Sequence, residues 1–300
     1  MQRKNSAWRK KERGYSMSND ANTYMIDHRS GAEMQRLIDQ DHLMNQTMGD
    51  LFPQDIDPTT LRSVLDVACG PASWILQVAF KHPYIHAVGV DVNQQMIDYG
   101  RAFAKVRSLN NVTLRVMDVL RPWDFEGATF DFVNARLLEA FLKEYHWLPL
   151  FQEMLRATTP GGTLRLTEML INETNSPACN RILALLWEGR KRDGRTSQAA
   201  PDTYVGSGAR LGDLFVQAGI FIAGEQEYHL DWSWGTPAHQ YVMRDIMVLY
   251  TLIQPYLVHT VQVVGEQEYQ HLLQVTEREL YTPDFQGIWH YKSVWGHKPR

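Results

Sequence analysis

The sequence predicts a doubly wound α/β fold, in which a largely parallel sheet carries helices on both of its faces. Short, apolar, β-rich segments alternate with helical segments along the first half of the chain. The first pair consists of an apolar run at residues 63–68 and a helical pattern at residues 74–80, joined by the small-residue turn Cys69-Gly70-Pro71. Since strands that alternate with helices connect through right-handed crossovers, this pattern predicts a parallel sheet.

The remaining elements follow at similar spacing. One or two amphipathic helices are expected at residues 24–49, where apolar positions recur at helical intervals at Met34, Leu37, Ile38, Leu43 and Met44. Further strands are expected at residues 86–91, 112–117, 130–135, 163–169, 220–232 and 288–294. Further helices are expected after a cap at Asn93 and at residues 147–157, 180–187, 211–218, 238–264 and 266–280. A loop at residues 190–208 is long enough to cover a substrate.

These elements divide the chain into three parts. We expect a disordered basic tail at residues 1–20, lead-in helices at residues 21–58, and a main domain at residues 59–300. Helical insertions at about residues 170–215 and 236–282 are expected to cap the substrate. The tail lacks the hydrophobic segment of a secretory signal. Its Arg-rich composition is also similar to that of a transit peptide. A further interpretation is that translation starts at Met17 and that the preceding residues are an upstream extension.

Composition narrows the classes of function. The 300 residues are 44% hydrophobic, and the formal net charge is −4. No apolar run approaches the roughly 20 residues that span a bilayer, so we expect a soluble, cytoplasmic protein without membrane contact. The negative charge disfavours nucleic acid as a partner. Cys69 and Cys179 are too few for a disulfide framework or a zinc site, and no metal is expected. Exposed methionines on the lead-in segment, Met25, Met34 and Met44, would allow a homo-oligomer.

Polar residues stand where the predicted strands end. Ligands of a doubly wound sheet bind outside the carboxyl ends of its strands. Asp66 lies on the first strand, and Asp91 ends the second, where it can accept hydrogen bonds from a ribose diol. Asp118 ends the third strand and can accept from an exocyclic amine, while Met96 and Val119 can sandwich a flat base. These groups suit a nucleoside.

The same segments carry a family resemblance. They are Val64-Leu65-Asp66-Val67-Ala68-Cys69-Gly70, Val88-Gly89-Val90-Asp91, Met117-Asp118, Phe130-Asp131-Phe132-Val133-Asn134-Ala135-Arg136 and Thr159-Pro160-Gly161-Gly162. In order and spacing they resemble the motifs of the class I S-adenosylmethionine-dependent methyltransferases, specifically the small-molecule and natural-product type. The resemblance covers about residues 60–170 and implies a Rossmann-like sheet of seven strands. Ala68 and Ala72 depart from the family, which often has glycines there.

The resemblance implies roles for individual residues. S-adenosylmethionine is the implied cofactor, with Asp66 and Gly70 facing its methionine part and Asp91 its ribose. Asp118 would face the adenine amine and Asn134 the sulfonium. Residues 33–53 also resemble the lead-in helix of quinone-biosynthesis methyltransferases and fungal secondary-metabolism regulators, in which Tyr24 would close over the cofactor. The predicted cofactor site consists of Tyr24, Asp66, Ala68, Gly70, Asp91, Val92, Met96, Asp118, Val119 and Asn134.

Catalytic residues are less distinct. The candidates are Arg136 and Glu139 after the fourth strand, Glu168 near the end of the fifth, and His229, which also fits a surface or core polar group. A general base is required only when the acceptor must lose a proton. The absence of a distinct base therefore favours an amine, an activated ring carbon or an electron-rich double bond as the acceptor.

We therefore expect a methyltransferase that acts on a small apolar acceptor, aromatic or prenylated (terpenoid), by methylation of carbon. The aromatic C-terminal third supports this, with Tyr24, Trp232 and Trp234 as candidates to line a pocket between the lead-in helix and the inserted helices. Oxygen or nitrogen methylation of another small metabolite stays open, as does a non-catalytic cofactor-binding relative. A nicotinamide-dependent oxidoreductase would also use Asp91, but the G-x-G-x-x-G turn is absent. The nucleobase signature Asn/Asp-Pro-Pro-Tyr is absent after the fourth strand.

Overall fold

The computed structural model describes residues 24–27, 30–196 and 204–300. Its centre is one sheet in the order β3-β2-β1-β4-β5-β8-β7, with a short extra strand, β6, paired to β5. The strands are β1 Ser63–Val67, β2 His86–Asp91, β3 Val112–Val116, β4 Phe130–Arg136, β5 Thr158–Thr174, β6 Tyr204–Val205, β7 Phe221–Asp231 and β8 Gly287–His297. The helices are α1 Gly31–Met48, α2 Ser73–Lys81, α3 Gln94–Val106, α4 Trp147–Ala157, α5 Pro177–Arg192, α6 Leu211–Gln217, α7 His239–Pro255 and α8 Glu266–Leu280. The predicted basic tail lies outside the described residues.

Strand direction confirms the predicted doubly wound, Rossmann-like sheet of seven main strands. Strands β1 to β5 run parallel to one another, whereas β8 runs antiparallel between β5 and β7, and β6 pairs antiparallel with β5. The helical insertion before the last strand is also confirmed, because α7 and α8 lie between β7 and β8. The carboxyl ends of β1 to β5 therefore meet at one edge of the sheet.

The start of α3 shows how the sequence builds the first two units. The side chain of Asn93 accepts hydrogen bonds from the backbone N–H groups of Gln95 and Met96 at 2.9 and 3.4 Å, which caps the helix immediately after β2. The inner strands β1 and β2 are almost entirely buried, as expected for apolar strands covered on both faces.

Two element boundaries differ from the predictions. The first difference concerns Pro160-Gly161-Gly162, which we expected before the fifth strand but which lie inside β5. At this place the register between β4 and β5 is irregular: Phe130 pairs with Thr158, and Phe132 pairs with Thr163. The irregularity accommodates a proline, which cannot donate to a ladder. The helix predicted at residues 238–264 ends at Pro255, whose missing N–H interrupts the hydrogen-bond series, and a π turn, Tyr256–Thr260, follows.

Helix α1 buries a different face from the one that its apolar residues predict. Glu33, Arg36, Met44 and Met48 are its buried residues, whereas Met34 is only half-buried. Charged side chains of the helix therefore face the interior. The predicted contact of Met44 with a neighbouring molecule is wrong, because this side chain is 2% exposed within the chain itself.

The helices of the insertion form a cap over the carboxyl edge of the sheet. A core cluster joins α5, α7 and α8 to Trp289 and Tyr291 of β8, and Met44 of α1 packs into the same cluster. Two further clusters lie on the opposite faces of the sheet, one under α2 and α3 and one under α4 and α6. Among the described residues, no helix is both long and apolar enough to cross a bilayer.

Candidate functional site

The turn after β1 has an unusual backbone. Ala68, Gly70 and Ala72 adopt positive φ angles of 54°, 52° and 67°. Such angles cost an alanine roughly 1 kcal/mol, which is why glycines are common in a turn of this kind. The chain accepts this cost at Ala68 and Ala72, and the turn lines a cavity through Ala68, Cys69, Gly70 and Pro71.

Asp91 holds this turn next to the end of β2. One carboxylate oxygen accepts a hydrogen bond from the backbone N–H of Gly70 at 2.9 Å, and the other accepts from the N–H of Asn93 at 2.8 Å. The residue lines the same cavity. Asp91 therefore connects the two turns that follow β1 and β2 and presents a carboxylate to the space between them.

Asp66 lies on β1 behind the turn, in a buried polar network. Its Oδ1 accepts from the side-chain amide of Asn134 at 2.7 Å, and Asn134 in turn accepts from Arg165 at 2.8 Å. The other carboxylate oxygen, Oδ2, is buried without a hydrogen-bond partner, and the residue lines the cavity. Burial raises the pKa of Asp66 to about 7, against the opposing effects of Arg136 and Asn134.

The cavity has a volume of about 860 Å³ and extends from the strand ends to the cap. Nine of the ten predicted cofactor-site residues line it: Tyr24, Asp66, Ala68, Gly70, Asp91, Val92, Met96, Asp118 and Val119. Asn134 does not, because it is fully buried behind Asp66. Met96 and Val119 are buried apolar walls, whereas Asp118 accepts from the backbone N–H of Leu120 at 3.0 Å.

Arg136 lines the cavity and connects β4 to the lead-in helix. Its guanidinium donates to Asp41 at 2.6 Å and to Asn45 at 2.7 Å, both on α1. Asp41 also accepts from the backbone N–H of Ser73 at 3.1 Å, at the first turn of α2. The structure therefore places Arg136 as a connector of β4, α1 and α2 near the strand ends that line the cavity.

The two glutamates among the catalytic candidates form a buried pair beside the cap. Glu139 lines the cavity and accepts from Arg190 at 3.0 Å and from the backbone N–H and hydroxyl of Ser207, each at 2.6 Å. Glu168 is fully buried, does not line the cavity, and accepts from the backbone N–H of Leu138 at 2.7 Å. Burial and the neighbouring Glu139 raise the pKa of Glu168 well above its usual value.

The histidines occupy other places. His229 lies on β7 away from the cavity lining, with its Nδ1 2.8 Å from Nδ1 of His290 on β8. His146, in contrast, lines the cavity, and its Nδ1 accepts from the backbone N–H of Lys143 at 3.1 Å. In the neutral ring this leaves the hydrogen on Nε2. Within the described ranges, no group of three His, Cys, Asp or Glu side chains could hold a metal ion.

Comparison with known proteins identifies the unit that forms this site. Residues 64–162 match the family model of the methyltransferase domain. The chain carries a class I methyltransferase domain. This match confirms the predicted family and the S-adenosylmethionine cofactor that the family uses, and it favours methyl transfer over nicotinamide chemistry.

Curated relatives resemble the methyltransferase domain over part of their length. The secondary metabolism regulator laeA of Coprinopsis cinerea is 35% identical over 104 residues, which are 35% of this chain and 24% of that protein. Demethylmenaquinone methyltransferase of Listeria welshimeri is 32% identical over 121 residues, which are 40% of this chain and 49% of that protein. The chain thus spans about a quarter and about half of the lengths of these relatives.

A solved structure supports the fold. Phosphoethanolamine N-methyltransferase 2 of Haemonchus contortus, in complex with phosphomonomethylethanolamine and S-adenosylhomocysteine, aligns with a TM-score of 0.53 at 16% identity. The alignment covers 92% of this chain and 61% of that protein. At this identity the likeness shows the shared fold.

The strand ends of the methyltransferase domain fit S-adenosylmethionine. The unpartnered Oδ2 of Asp66 is an acceptor for an ammonium group, and the carboxylate of Asp91 borders the same space. Met96 and Val119 supply apolar surfaces for a flat base near Asp118. The acceptors and apolar surfaces at this end are of the kinds that an ammonium group, ribose hydroxyls and a flat base can use.

The cap end of the cavity contains three residues that sequence reasoning missed, Glu33, Arg36 and Asp245, next to Tyr24, which it had predicted. Arg36 donates to Glu33 at 2.7 and 2.8 Å and to Asp245 of α7 at 3.2 Å, and Tyr24 donates to Glu33 at 2.5 Å. Burial raises the pKa of Asp245 to about 6 in spite of Arg36. These four residues line the cavity and join α1 to the insertion. The signal in the sequence is the i, i+3 spacing of Glu33 and Arg36, and charged residues at this spacing do not by themselves predict a buried helix face.

Aromatic side chains of the cap are divided between core and cavity. Tyr250 and Trp289 line the cavity. Trp232 and Trp234, predicted candidates for the pocket wall, do not: Trp232 is fully buried in the cap cluster and Trp234 is 42% exposed. The position of an aromatic residue relative to the cavity depends on how α7 and α8 pack, which composition does not specify.

Proposed function

We propose that this chain transfers a methyl group from S-adenosylmethionine to a small, largely apolar acceptor, aromatic or prenylated, and that the methylated atom is carbon. The observation that carries the proposal is the continuity of the cavity. It extends from Asp66, Asp91 and Asp118 at the strand ends to apolar residues of α1, α5 and α7. A volume of about 860 Å³ accommodates two reactants side by side.

The composition of the cap end supports an apolar acceptor. The chamber there is lined by aliphatic side chains, namely Met25, Ile26, Leu37, Met44, Leu183, Leu186, Ile246, Leu249 and Ile253. Its charged residues are paired with one another, as the hydrogen bonds of Arg36 with Glu33 and Asp245 show. Most of the acceptor's contacts are therefore with hydrocarbon surface, which favours binding by burial of apolar area.

Methyl transfer places few chemical demands on the protein. The bound cofactor supplies an electrophilic methyl group on a sulfonium, and the acceptor's electron pair forms the new bond as the carbon–sulfur bond breaks. Correct placement of the two reactants contributes about 7–11 kcal/mol to such a reaction. Asp66, Asp91 and Asp118 would hold the cofactor, and the packed cap would exclude water.

The side chains at the cavity support carbon as the acceptor atom. Glu139 is occupied by Arg190 and Ser207, and His146 accepts a hydrogen bond through Nδ1. Neither group is placed as a strong base. An electron-rich carbon needs no base to attack, because the cationic adduct loses its proton only after the new bond has formed, to solvent water as the product is released.

Names of relatives are in line with this acceptor class. The similar proteins include a demethylmenaquinone methyltransferase of Listeria welshimeri, whose name designates a quinone-type acceptor, and methyltransferase str2 of Strobilurus tenacellus, which is 26% identical over 121 residues. The fungal regulator laeA is named for secondary metabolism.

Calorimetric titration with S-adenosylhomocysteine tests the cofactor half of the proposal. We expect micromolar binding by the wild type and a loss of at least about tenfold in Asp91→Ala, equivalent to one charge-assisted hydrogen bond or more. Asp98→Ala is the matched control, since Asp98 is an exposed carboxylate on α3 that pairs with Arg101. Thermal melting of each variant shows whether the turn held by Asp91 stays folded. No binding by a folded wild type would refute the proposal.

Filling the cap chamber tests the acceptor half. Leu249→Trp places a large side chain in the chamber, so we expect transfer of labelled methyl to a panel of phenols, quinols and prenylated aromatics to fall at least about tenfold while S-adenosylhomocysteine binding is unchanged. Leu252→Trp is the matched control, because Leu252 is a half-buried residue of the same helix that does not line the cavity. Equal transfer by both variants would contradict the chamber as acceptor site, and cofactor binding without transfer to any compound would favour a non-catalytic relative.

A further inference from the structure

Two buried polar atoms of the cap chamber lack a hydrogen-bond partner. They are the side-chain amide oxygen of Asn172 and the indole N–H of Trp289. Both residues line the cavity and are 5% and 3% exposed. Buried polar groups are nearly always hydrogen-bonded in folded proteins, and these two belong to residues of the cavity wall, where a bound ligand could supply the missing partners.

The two side chains are direct neighbours across the sheet. Asn172 of β5 and Trp289 of β8 are register partners in an antiparallel pair. Residues directly opposite each other in such a pair lie on the same face, with Cβ atoms about 4.5–5.5 Å apart. The two side chains are therefore adjacent on one face of the sheet, so a single ligand group at this place would lie beside both.

A bulge in β5 directs Asn172 to the cavity. Met169 pairs with Tyr291 and Ile171 with His290, so Leu170 is an extra residue in β5. Side chains alternate along a regular strand, and Met169 and Asn172, three residues apart, would point to opposite faces without the bulge. Both line the cavity in the structure. Bulges commonly redirect a side chain beside a binding site.

We propose that Asn172 and Trp289 bind a hydroxyl group of the methyl acceptor, so that the substrate class is a hydroxylated apolar molecule such as a phenol or a prenylated alcohol. This inference rests on the proposed function. The indole N–H donates to the hydroxyl oxygen, and the hydroxyl hydrogen is donated to the amide oxygen of Asn172. A carbonyl would satisfy Trp289 only, and an ammonium would satisfy Asn172 only.

This hydroxyl positions the acceptor and is not the methylated atom. A side-chain amide and an indole are not bases, so the hydroxyl keeps its proton and stays a poor nucleophile. In a phenol the same group makes the ring carbons electron-rich. The pair thus selects an acceptor whose carbon can react and fixes its orientation in the chamber.

Binding of matched probes tests the proposal without relying on turnover. The probes are 2-naphthol with naphthalene and 4-prenylphenol with prenylbenzene, each measured by equilibrium dialysis with and without saturating S-adenosylhomocysteine. We expect each hydroxyl compound to bind about tenfold more tightly than its hydrocarbon to the wild type, since it forms two hydrogen bonds to otherwise unpaired groups. In Asn172→Leu and Trp289→Phe the preference should fall to about twofold.

Two control variants separate this role from general damage to the cap. Trp232→Phe and Thr276→Val each remove a buried polar atom that lacks a partner but does not line the cavity, and both should keep the preference. The proposal would be overturned if, in both probe pairs, the hydroxyl compound and its hydrocarbon bound to the wild type with equal affinity. It would also be overturned if neither hydroxyl compound bound. An undiminished preference in both Asn172→Leu and Trp289→Phe would do the same. If the wild type did not bind S-adenosylhomocysteine, the proposed function would be refuted and not the role of Asn172 and Trp289. The two outcomes can be told apart because the affinities of the probes are also measured without S-adenosylhomocysteine.

Discussion

Asp66 is expected to release a proton when the cofactor site is occupied. Its carboxyl group is buried with Oδ2 unpaired, and burial raises its pKa to about 7. At pH 6 about nine in ten molecules therefore carry a proton on Asp66. S-adenosylhomocysteine brings an ammonium group, and an opposite charge within hydrogen-bond distance lowers a carboxyl pKa by about 1–3 units.

The expected release follows from these values. A decrease of about two units in the pKa of Asp66 releases about 0.8 proton per ligand at pH 6 and about 0.1 at pH 8. Titration calorimetry in phosphate, MES and Bis-Tris buffers at pH 6 measures this number as the slope of the binding enthalpy against the ionisation enthalpy of the buffer. The slope should nearly vanish at pH 8.

Two variants identify the group that releases the proton. Asp66→Asn cannot titrate and should show no release at pH 6. Asp245→Asn removes another buried carboxyl with a raised pKa, about 6, but this one pairs with Arg36 at the cap end and should leave the release unchanged. A zero slope for a wild type that binds the ligand, or an unchanged slope in Asp66→Asn, would refute the reasoning.

The raised pKa of Asp66 also fixes the sign of a stability effect. The folded chain keeps the proton up to about pH 7, whereas the unfolded chain loses it near the ordinary value of about 4. The free energy of unfolding therefore falls as pH rises between these values. Relative to the wild type, Asp66→Asn should gain about 2.6 kcal/mol between pH 5 and pH 8, measured by urea unfolding at these two pH values.

Two further substitutions test the packing of the cap and the sheet. Arg36→Met leaves Glu33 and Asp245 buried without their cation, so urea unfolding should show a loss of about 3–5 kcal/mol. Gly296→Ala would place a Cβ atom 2.4 Å from the backbone oxygen of Phe221, and the strands β7 and β8 must shift to admit it. We expect a loss of about 1–3 kcal/mol, read from the denaturant midpoint.

Matched controls accompany both substitutions. Arg244→Met removes an exposed ion pair with Asp39 and should cost less than about 1 kcal/mol. Gly31→Ala adds a Cβ atom with nothing within 4 Å, so it should not lower stability. If Arg36→Met cost no more than Arg244→Met, the buried cluster would not hold α1 to α7 in solution, and a neutral Gly296→Ala would contradict the close approach of β7.

The cofactor end of the site could be predicted from local sequence. Asp66 lies one residue before the end of β1, Asp91 ends β2 and Asp118 follows β3. Because parallel strands bring their carboxyl ends to one edge, order along the chain was enough to place these residues together. Asn134 also lies near the carboxyl end of a parallel strand, but its side chain faces Asp66 and not the cavity. The reason is that it completes the buried hydrogen-bond network between Asp66 and Arg165.

The acceptor end could not be predicted in this way. Asn172 and Trp289 are 117 residues apart in the numbering, and they meet only because β8 enters antiparallel beside β5 and a bulge at Leu170 shifts the register. Neither the strand order nor the bulge has a periodic signal in the sequence. The burial of Glu33 and Arg36 likewise depends on Asp245 of α7 supplying the compensating charge.

The sequence by itself therefore determined the alternation of strands and helices, the carboxylates at the strand ends and the family that these motifs match, because each depends on residues close together in the chain. The tertiary structure alone decided which face of α1 is buried, which aromatic residues reach the cavity, and that an amide and an indole stand side by side in it. Those features depend on contacts between distant segments, whose free energies are set by the packing of the whole cap and not by any local pattern.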